Sequence, residues 1–238
     1  MAPVLCQALR TFVPYAERHG YELRVGSGES EGRPAAWAKV VFLRQLLREY
    51  DEVLWLDADI AILDPSEDLA AHVRPDAYQA LVETRLGDLL WVNSGVWFLR
   101  AGERSDSFLY AVWNSTDHID HIWWENAAVV ELLGYDIECR APRAASPWSD
   151  GTQMLPEEWN IQMDSQGLRP ARIRHYSAQA NDRREQWIRA DADRVSGNPA
   201  WLLGASRRWA VHYAPKSPGD LVVKLRRRAL VALASLTG

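Results

Sequence analysis

Apolar positions recur at helical spacing in the first segment of the chain. Leu5, Leu9, Phe12, Val13 and Ala16 share one face of a predicted helix from Leu5 to His19, and Gly20 is placed to end it. Tyr21 to Val25 alternates as a strand does, and Gly26 to Pro34, rich in Gly, Ser and Glu, reads as a loop. A second helix is predicted from Ala35 to Tyr50, with Trp37, Val40, Val41, Leu43 and Leu47 on one broad face. The unbroken run Val53-Leu54-Trp55-Leu56 suits a strand covered on both faces. Ile60 to Leu63 is a short apolar piece stopped by Pro65, and Ser66 is a candidate N-cap for a short helix with Glu67 and Asp68 in its first turn.

Tyr78 to Val82 predicts another strand. Trp91 to Arg100 predicts one interrupted by Asn93-Ser94-Gly95, where a glycine signals a bulge or the close approach of a ligand. Glu125 to Leu133 reads as a helix closed by Gly134. Cys139 to Pro156 carries three prolines and no period, which predicts a long loop with the character of a lid. Ala171 to Tyr176 reads as a late strand and Asp182 to Arg189 as a helix. Alternating helix and strand signals predict a single-domain α/β/α sandwich with a mostly parallel central sheet. It would span residues 1–215, followed by a basic amphipathic tail over 216–238. In the tail, Lys224 and Arg226 to Arg228 stand among apolar residues, which suits a helix packed on the domain or peripheral contact with an anionic membrane.

Composition narrows the picture. The chain has 238 residues, 47% of them apolar, enough for one sizeable core. A formal net charge of −5 excludes a general nucleic-acid footprint. Twelve tryptophans supply core volume or flat faces for a sugar or base. Cys6 and Cys139 lack metal-type spacing and suggest no disulfide framework. Met1 to Phe12 has no signal-peptide pattern, and no apolar stretch is long enough to span a bilayer, so a cytoplasmic setting is expected.

The candidate chemistry lies at Asp57 and Asp59. Residues two apart at the end of a strand project to the same side, and two carboxylates there suit a hard divalent cation, Mn²⁺ or Mg²⁺, with positions left for phosphate oxygens. A second Asp-x-Asp, Asp191-Ala192-Asp193, has no apolar strand before it and reads as a solvated face. Lys39 suits a phosphate or a strand-end carboxylate, or a solvated helix face. Glu125 is a candidate carboxylate for the reacting carbon, or a helix-start residue that complements the dipole.

Several segments resemble a known family in the same order along the chain. They are Tyr15 to Tyr21, Trp37-Ala38-Lys39, Tyr50 to Asp59, Asn93 to Arg100, Leu155-Pro156-Glu157-Glu158-Trp159-Asn160 and Ile173-Arg174-His175-Tyr176-Ser177. Together they resemble a GT-A-fold glycosyltransferase, in the galactosyl- and xylosyltransferase group related to yeast Golgi mannan enzymes. The resemblance implies a metal-dependent transfer, with retention of configuration, from a UDP- or GDP-linked nucleotide-sugar to a glycan or other hydroxyl acceptor. It implies that His175 completes the metal site with Asp57 and Asp59, His212 being the rival for that place. It also implies that Trp37, Lys39, Asn93, Ser94 and Gly95 bind the donor and that Glu125 and Asn126 serve catalysis. Two features depart from the pattern: the chain starts near the first helix, where these enzymes have an earlier strand that helps hold the base, and Asn126 replaces a glutamine. They motivate a second reading, a catalytically degenerate sugar-nucleotide or glycan binder. A third, an Asp-x-Asp phosphohydrolase, expects a hydroxyl residue where Ala61 stands.

Overall fold

A computed structural model describes residues 2–26, 30–139, 144–162, 170–196 and 228–233. Its main sheet has six strands in the order β1-β9-β2-β5-β4-β6. These are β1 (Glu22–Gly26), β2 (Glu52–Leu56), β4 (Gln79–Leu86), β5 (Leu89–Arg100), β6 (Thr152–Leu155) and β9 (Arg228–Leu233). Three of its five pairings are parallel: β1 with β9, β9 with β2, and β4 with β6. A small second sheet, β3-β8-β7, combines β3 (Ile60–Ile62), β7 (Ile161–Gln162) and β8 (Ile173–His175).

Every residue of β2 is buried, as its apolar run requires. Successive side chains leave opposite faces of the sheet, so the run feeds two cores. Leu54 and Leu56 join Phe98, Leu230 and the apolar face of α1 (Ala2–His19), backed by Ile188 and Val195 of α5 (Asn181–Ser196). Val53 and Trp55 join Trp97, Leu99 and Val231 against the second helical layer. That layer comprises α2 (Ala38–Leu46), α3 (Glu103–Asn114) and α4 (Glu125–Leu132). The result is the expected α/β/α sandwich with a mostly parallel central sheet. At the end of α1, Gly20 has φ +73°, the left-handed value that favours glycine after a helix C-terminus.

Local differences from the sequence reading have physical causes. The second helix is shorter than expected: Ala35–Trp37 is a 3₁₀ turn, α2 ends at Leu46, and residues 47–49 form a turn. The short helix after Pro65 is a 3₁₀ helix, Leu69–His72, capped by Asp68 and not Ser66. The Asp68 carboxylate accepts from the Ala70 N–H, while Ser66 lies in the turn before it. The stretch from Cys139 to Pro156 contains β6, which pairs with β4 from Gln79↔Thr152 to Val82↔Leu155. Four residues of mixed polarity at a sheet edge carry no periodic signal, so only the pairing makes them a strand.

The largest difference is in the C-terminal tail. Arg228–Leu233 is an interior strand, parallel to both neighbours, with Ala229, Leu230, Val231 and Ala232 fully buried. Arg228 anchors its start to Asp68 at 2.6 Å, to Glu52 at 3.2 Å and to the Tyr21 hydroxyl. The other tail residues, including Lys224, Arg226 and Arg227, lie outside the described residues. Among the described residues no helix is long and apolar enough to cross a membrane.

Candidate metal and donor site

Four elements converge at the carboxyl end of β2, the end of a parallel strand where ligands of open α/β sheets bind. Asp57 and Asp59 occupy the turn between β2 and β3, one step beyond the strand on which the spacing placed them. Their backbone is held at both ends. The Asp57 N–H donates to the Gly95 carbonyl at 2.8 Å, and the Asp59 carbonyl accepts from the Tyr176 N–H at 2.9 Å. His175 enters because β8 pairs antiparallel with β3, Ile60 opposite His175. Asp57, Asp59 and His175 each offer a ligand atom, all within 4.8 Å of one another.

The orientation of the imidazole can be read from its neighbours. The Asn93 Oδ1 accepts the Gly95 N–H at 2.8 Å and the Asn160 Nδ2–H at 2.9 Å. That fixes the Asn160 amide with its oxygen toward His175 Nδ1, 3.2 Å away. Nδ1 therefore carries a proton, and Nε2 is the nitrogen left facing Asp59 Oδ1 at 3.1 Å and Asp57 Oδ2 at 3.8 Å. Two carboxylates facing Nε2 are satisfied either by a proton on that nitrogen or by a cation held between the three groups. The set of two carboxylate oxygens and one imidazole nitrogen, with the other ring nitrogen hydrogen-bonded, fits a divalent ion such as Mn²⁺ or Mg²⁺.

β5 bends to make room for this group. Its register against β4 shifts between Leu81, opposite Trp97, and Val82, opposite Asn93. Ser94, Gly95 and Val96 thus form the bulge that the interrupted pattern predicted. A Cβ on Gly95 would run into His175 Cε1 and Asn93 Oδ1, so glycine admits the imidazole here. Asn126 supports the bulge from α4: its Oδ1 accepts the Ser94 N–H at 2.8 Å, and its Nδ2 donates to the Val92 carbonyl at 3.2 Å. Both ends of its amide are engaged with backbone.

Beneath the aspartates lies a buried ion cluster. Lys39 Nζ sits 3.0 Å from Asp57 Oδ1 and 2.7 Å from Glu125 Oε1, and it also approaches Ser94 Oγ at 3.2 Å. The Trp55 indole N–H donates to Asp57 Oδ1 at 2.7 Å. Burial alone would push the Lys39 ammonium down, but Asp57 and Glu125 outweigh it and hold the group above the ordinary lysine range. Burial raises the Glu125 carboxyl, with Asp57 adding to the shift and Lys39 opposing it. Glu125 Oε2 is buried with no hydrogen-bond partner among the described residues. Burial also works to raise Asp59, yet His175 and Arg184 hold its carboxyl below the usual aspartate value.

The structure thus brings together Asp57, Asp59, His175, Lys39, Asn93, Ser94, Gly95, Glu125 and Asn126. Trp37 differs: its ring is fully buried, its Nε1–H donates to the Ile119 carbonyl at 3.1 Å, and it packs beside Trp113. It belongs to the core under the site and offers no face to a donor. Asp191 and Asp193 are structural, paired with Arg174 and Arg10 respectively. His212 lies outside the described residues. Sequence reasoning gave no role to Asn160 or Arg184. Asn160 stands in the Leu155 to Asn160 motif and so carried a signal, whereas Arg184 is one arginine in a polar, Arg-rich helix.

Residues 2–87 match the model of the galactosyl transferase GMA12/MNN10 family. The chain is 37% identical over 67 residues to the probable alpha-1,6-mannosyltransferase MNN10 of Saccharomyces cerevisiae; the match covers 25% of this chain and 17% of the yeast protein. In fold it is similar to the crystal structure of a glycosyltransferase involved in the glycosylation of the major capsid of PBCV-1. The TM-score is 0.58 at 15% identity, over 79% of this chain and 92% of that one.

Proposed function

From the premise of a GT-A-like glycosyltransferase fold whose N-terminal sequence matches the GMA12/MNN10 galactosyltransferases, we propose that this chain is a metal-dependent glycosyltransferase. It moves a sugar from a nucleoside diphosphate to an acceptor hydroxyl with retention of configuration. The observation that carries the reading is His175 Nε2 turned toward Asp57 and Asp59 while Nδ1 is engaged by Asn160. That is a ligand set arranged for an ion that would neutralise the charge developing on a departing diphosphate.

The chain's own residues supply the rest. Lys39 ties Asp57 to Glu125, so the carboxylate that would face the donor sugar is fixed relative to the metal corner. Glu125 has one oxygen committed to Lys39, which suits it to stabilise positive charge developing at the sugar's reacting carbon. The bulge at Ser94 to Val96, with Asn93 beside it, would form the wall against which the sugar lies. In the transfer the bond from the sugar's anomeric carbon to the phosphate oxygen breaks, and a bond to the acceptor oxygen forms. The acceptor's proton leaves with the departing phosphate.

A screen of UDP- and GDP-sugars by thermal shift, with and without Mn²⁺, tests the proposal. One donor class should raise the melting temperature only when the ion is present. At a hundredfold excess over Kd the gain is about 2.7 kcal/mol. Asp57→Asn should abolish that shift and lower transfer by about 10²-fold or more while the chain stays folded. Full transfer in that variant would refute the site. A donor shift in the unaltered chain without donor hydrolysis or transfer would instead identify a binder that does not turn over.

A further inference from the structure

Arg184, in the first turn of α5, reaches the same corner with little to hold it. Its Nη1 lies 3.4 Å from Asp59 Oδ2, long for a charge-assisted contact, which is usually about 2.7–2.9 Å. Its Nε is buried without a hydrogen-bond partner among the described residues, and its side chain is 19% exposed. The neighbouring arginines are used differently. Arg172 engages three carboxylates at 2.8, 2.9 and 3.1 Å, and Arg174, whose Nε also lacks a partner among the described residues, holds Asp191 at 2.6 Å; what sets Arg184 apart is the length of its ion pair. A guanidinium that has, among the described residues, one long ion pair and an unmet donor, at the edge of a metal-type cluster, has capacity to spare.

The charge balance gives that capacity a direction. Each aspartate of the candidate metal site already faces a cation, Lys39 on Asp57 and Arg184 on Asp59, while Glu125 shares Lys39. A divalent ion arriving alone would compete with Arg184 for Asp59 and sit beside its positive charge. A diphosphate arriving with the ion removes that repulsion. It also offers the guanidinium oxygens that match its planar fork.

Resting on the glycosyltransferase reading, the geometry points to Arg184 as the residue that binds the donor's diphosphate and couples it to the ion. It weakens binding of the ion alone and strengthens binding of the ion and diphosphate together. The effects on the two ligands therefore have opposite signs. A residue that merely held Asp59 in place would weaken both.

Calorimetric titration of the full chain with Mn²⁺ alone, and with inorganic pyrophosphate at saturating Mn²⁺, separates these cases. In Arg184→Gln, Mn²⁺ alone should bind more tightly, and pyrophosphate should bind at least about fivefold more weakly. Arg184→Lys should recover part of the pyrophosphate affinity, and a cooperative thermal transition shows that each variant is folded. Unchanged pyrophosphate affinity, or loss of both affinities together, overturns the assignment. Absence of Mn²⁺-dependent pyrophosphate and nucleoside-diphosphate binding in the unaltered chain would overturn the glycosyltransferase reading itself, a failure visible before any substitution is made.

Discussion

At the scale of single residues, the candidate site depends on hydrogen bonds that choose which atom faces where. Asn160 is the clearest case. It is fully buried, donates to Asn93 and accepts from His175, and so links the bulge of β5 to the metal corner. Asn160→Ala frees the imidazole to rotate and strands the groups that the amide satisfied. Mn²⁺ affinity should fall about 10- to 100-fold, measured by titration. Stability should drop by about 1–3 kcal/mol in urea unfolding. Unaltered metal affinity would mean that other contacts orient His175. Nothing in the residue type announces this role, since asparagine before a strand more often serves a turn.

At the scale of elements, the pattern along the chain located most of the pieces and missed what pairing alone creates. β2 was legible because four consecutive apolar residues need cover on both faces, and both cores supply it. The bulge in β5 was legible because Asn93-Ser94-Gly95 breaks an apolar run. β9 was not, because Arg228 to Leu233 reads equally as one face of an amphipathic helix until its neighbours are known. Its place in the sheet makes a sharp prediction. Leu230 is fully buried among Leu54, Phe98 and the α1 face, so Leu230→Ala should cost about 2–5 kcal/mol in denaturant unfolding. A residue of a surface tail would cost within about 0.5 kcal/mol.

At the scale of the whole molecule, the site concentrates charge inside a fold that must remain stable around it. Asp59 is buried, and its carboxyl is held below the ordinary 3.8 of an aspartate, despite burial, by His175 and Arg184. The folded chain thus binds this proton less readily than the unfolded chain. The contribution of Asp59 is complete above pH 3.8 and is lost as pH falls through the folded-state value. Glu125, raised by burial, acts in the opposite sense: its share is present below its ordinary 4.5 and declines as pH rises through the folded value. Urea unfolding across the acid range, with chelator present, should show stability falling as pH drops below 3.8. Asp59→Asn should flatten that fall, and an unchanged slope would place the acid sensitivity elsewhere.

The sequence by itself determined the alternation of helices and strands, the buried strand that ends at Asp57, the glycine break in β5 and the order of motifs that marks the glycosyltransferase likeness. These are local properties, set by the spacing of apolar side chains and by backbone freedom at a few positions. Tertiary structure alone decided that β9 lies inside the sheet, that Trp37 belongs to the core, that Lys39 bridges Asp57 and Glu125, and that Asn160 and Arg184 reach the metal corner. Each of these joins residues far apart in the chain. A contact of that kind depends on register and on which layer a helix packs against, and the spacing within one segment carries no information about either.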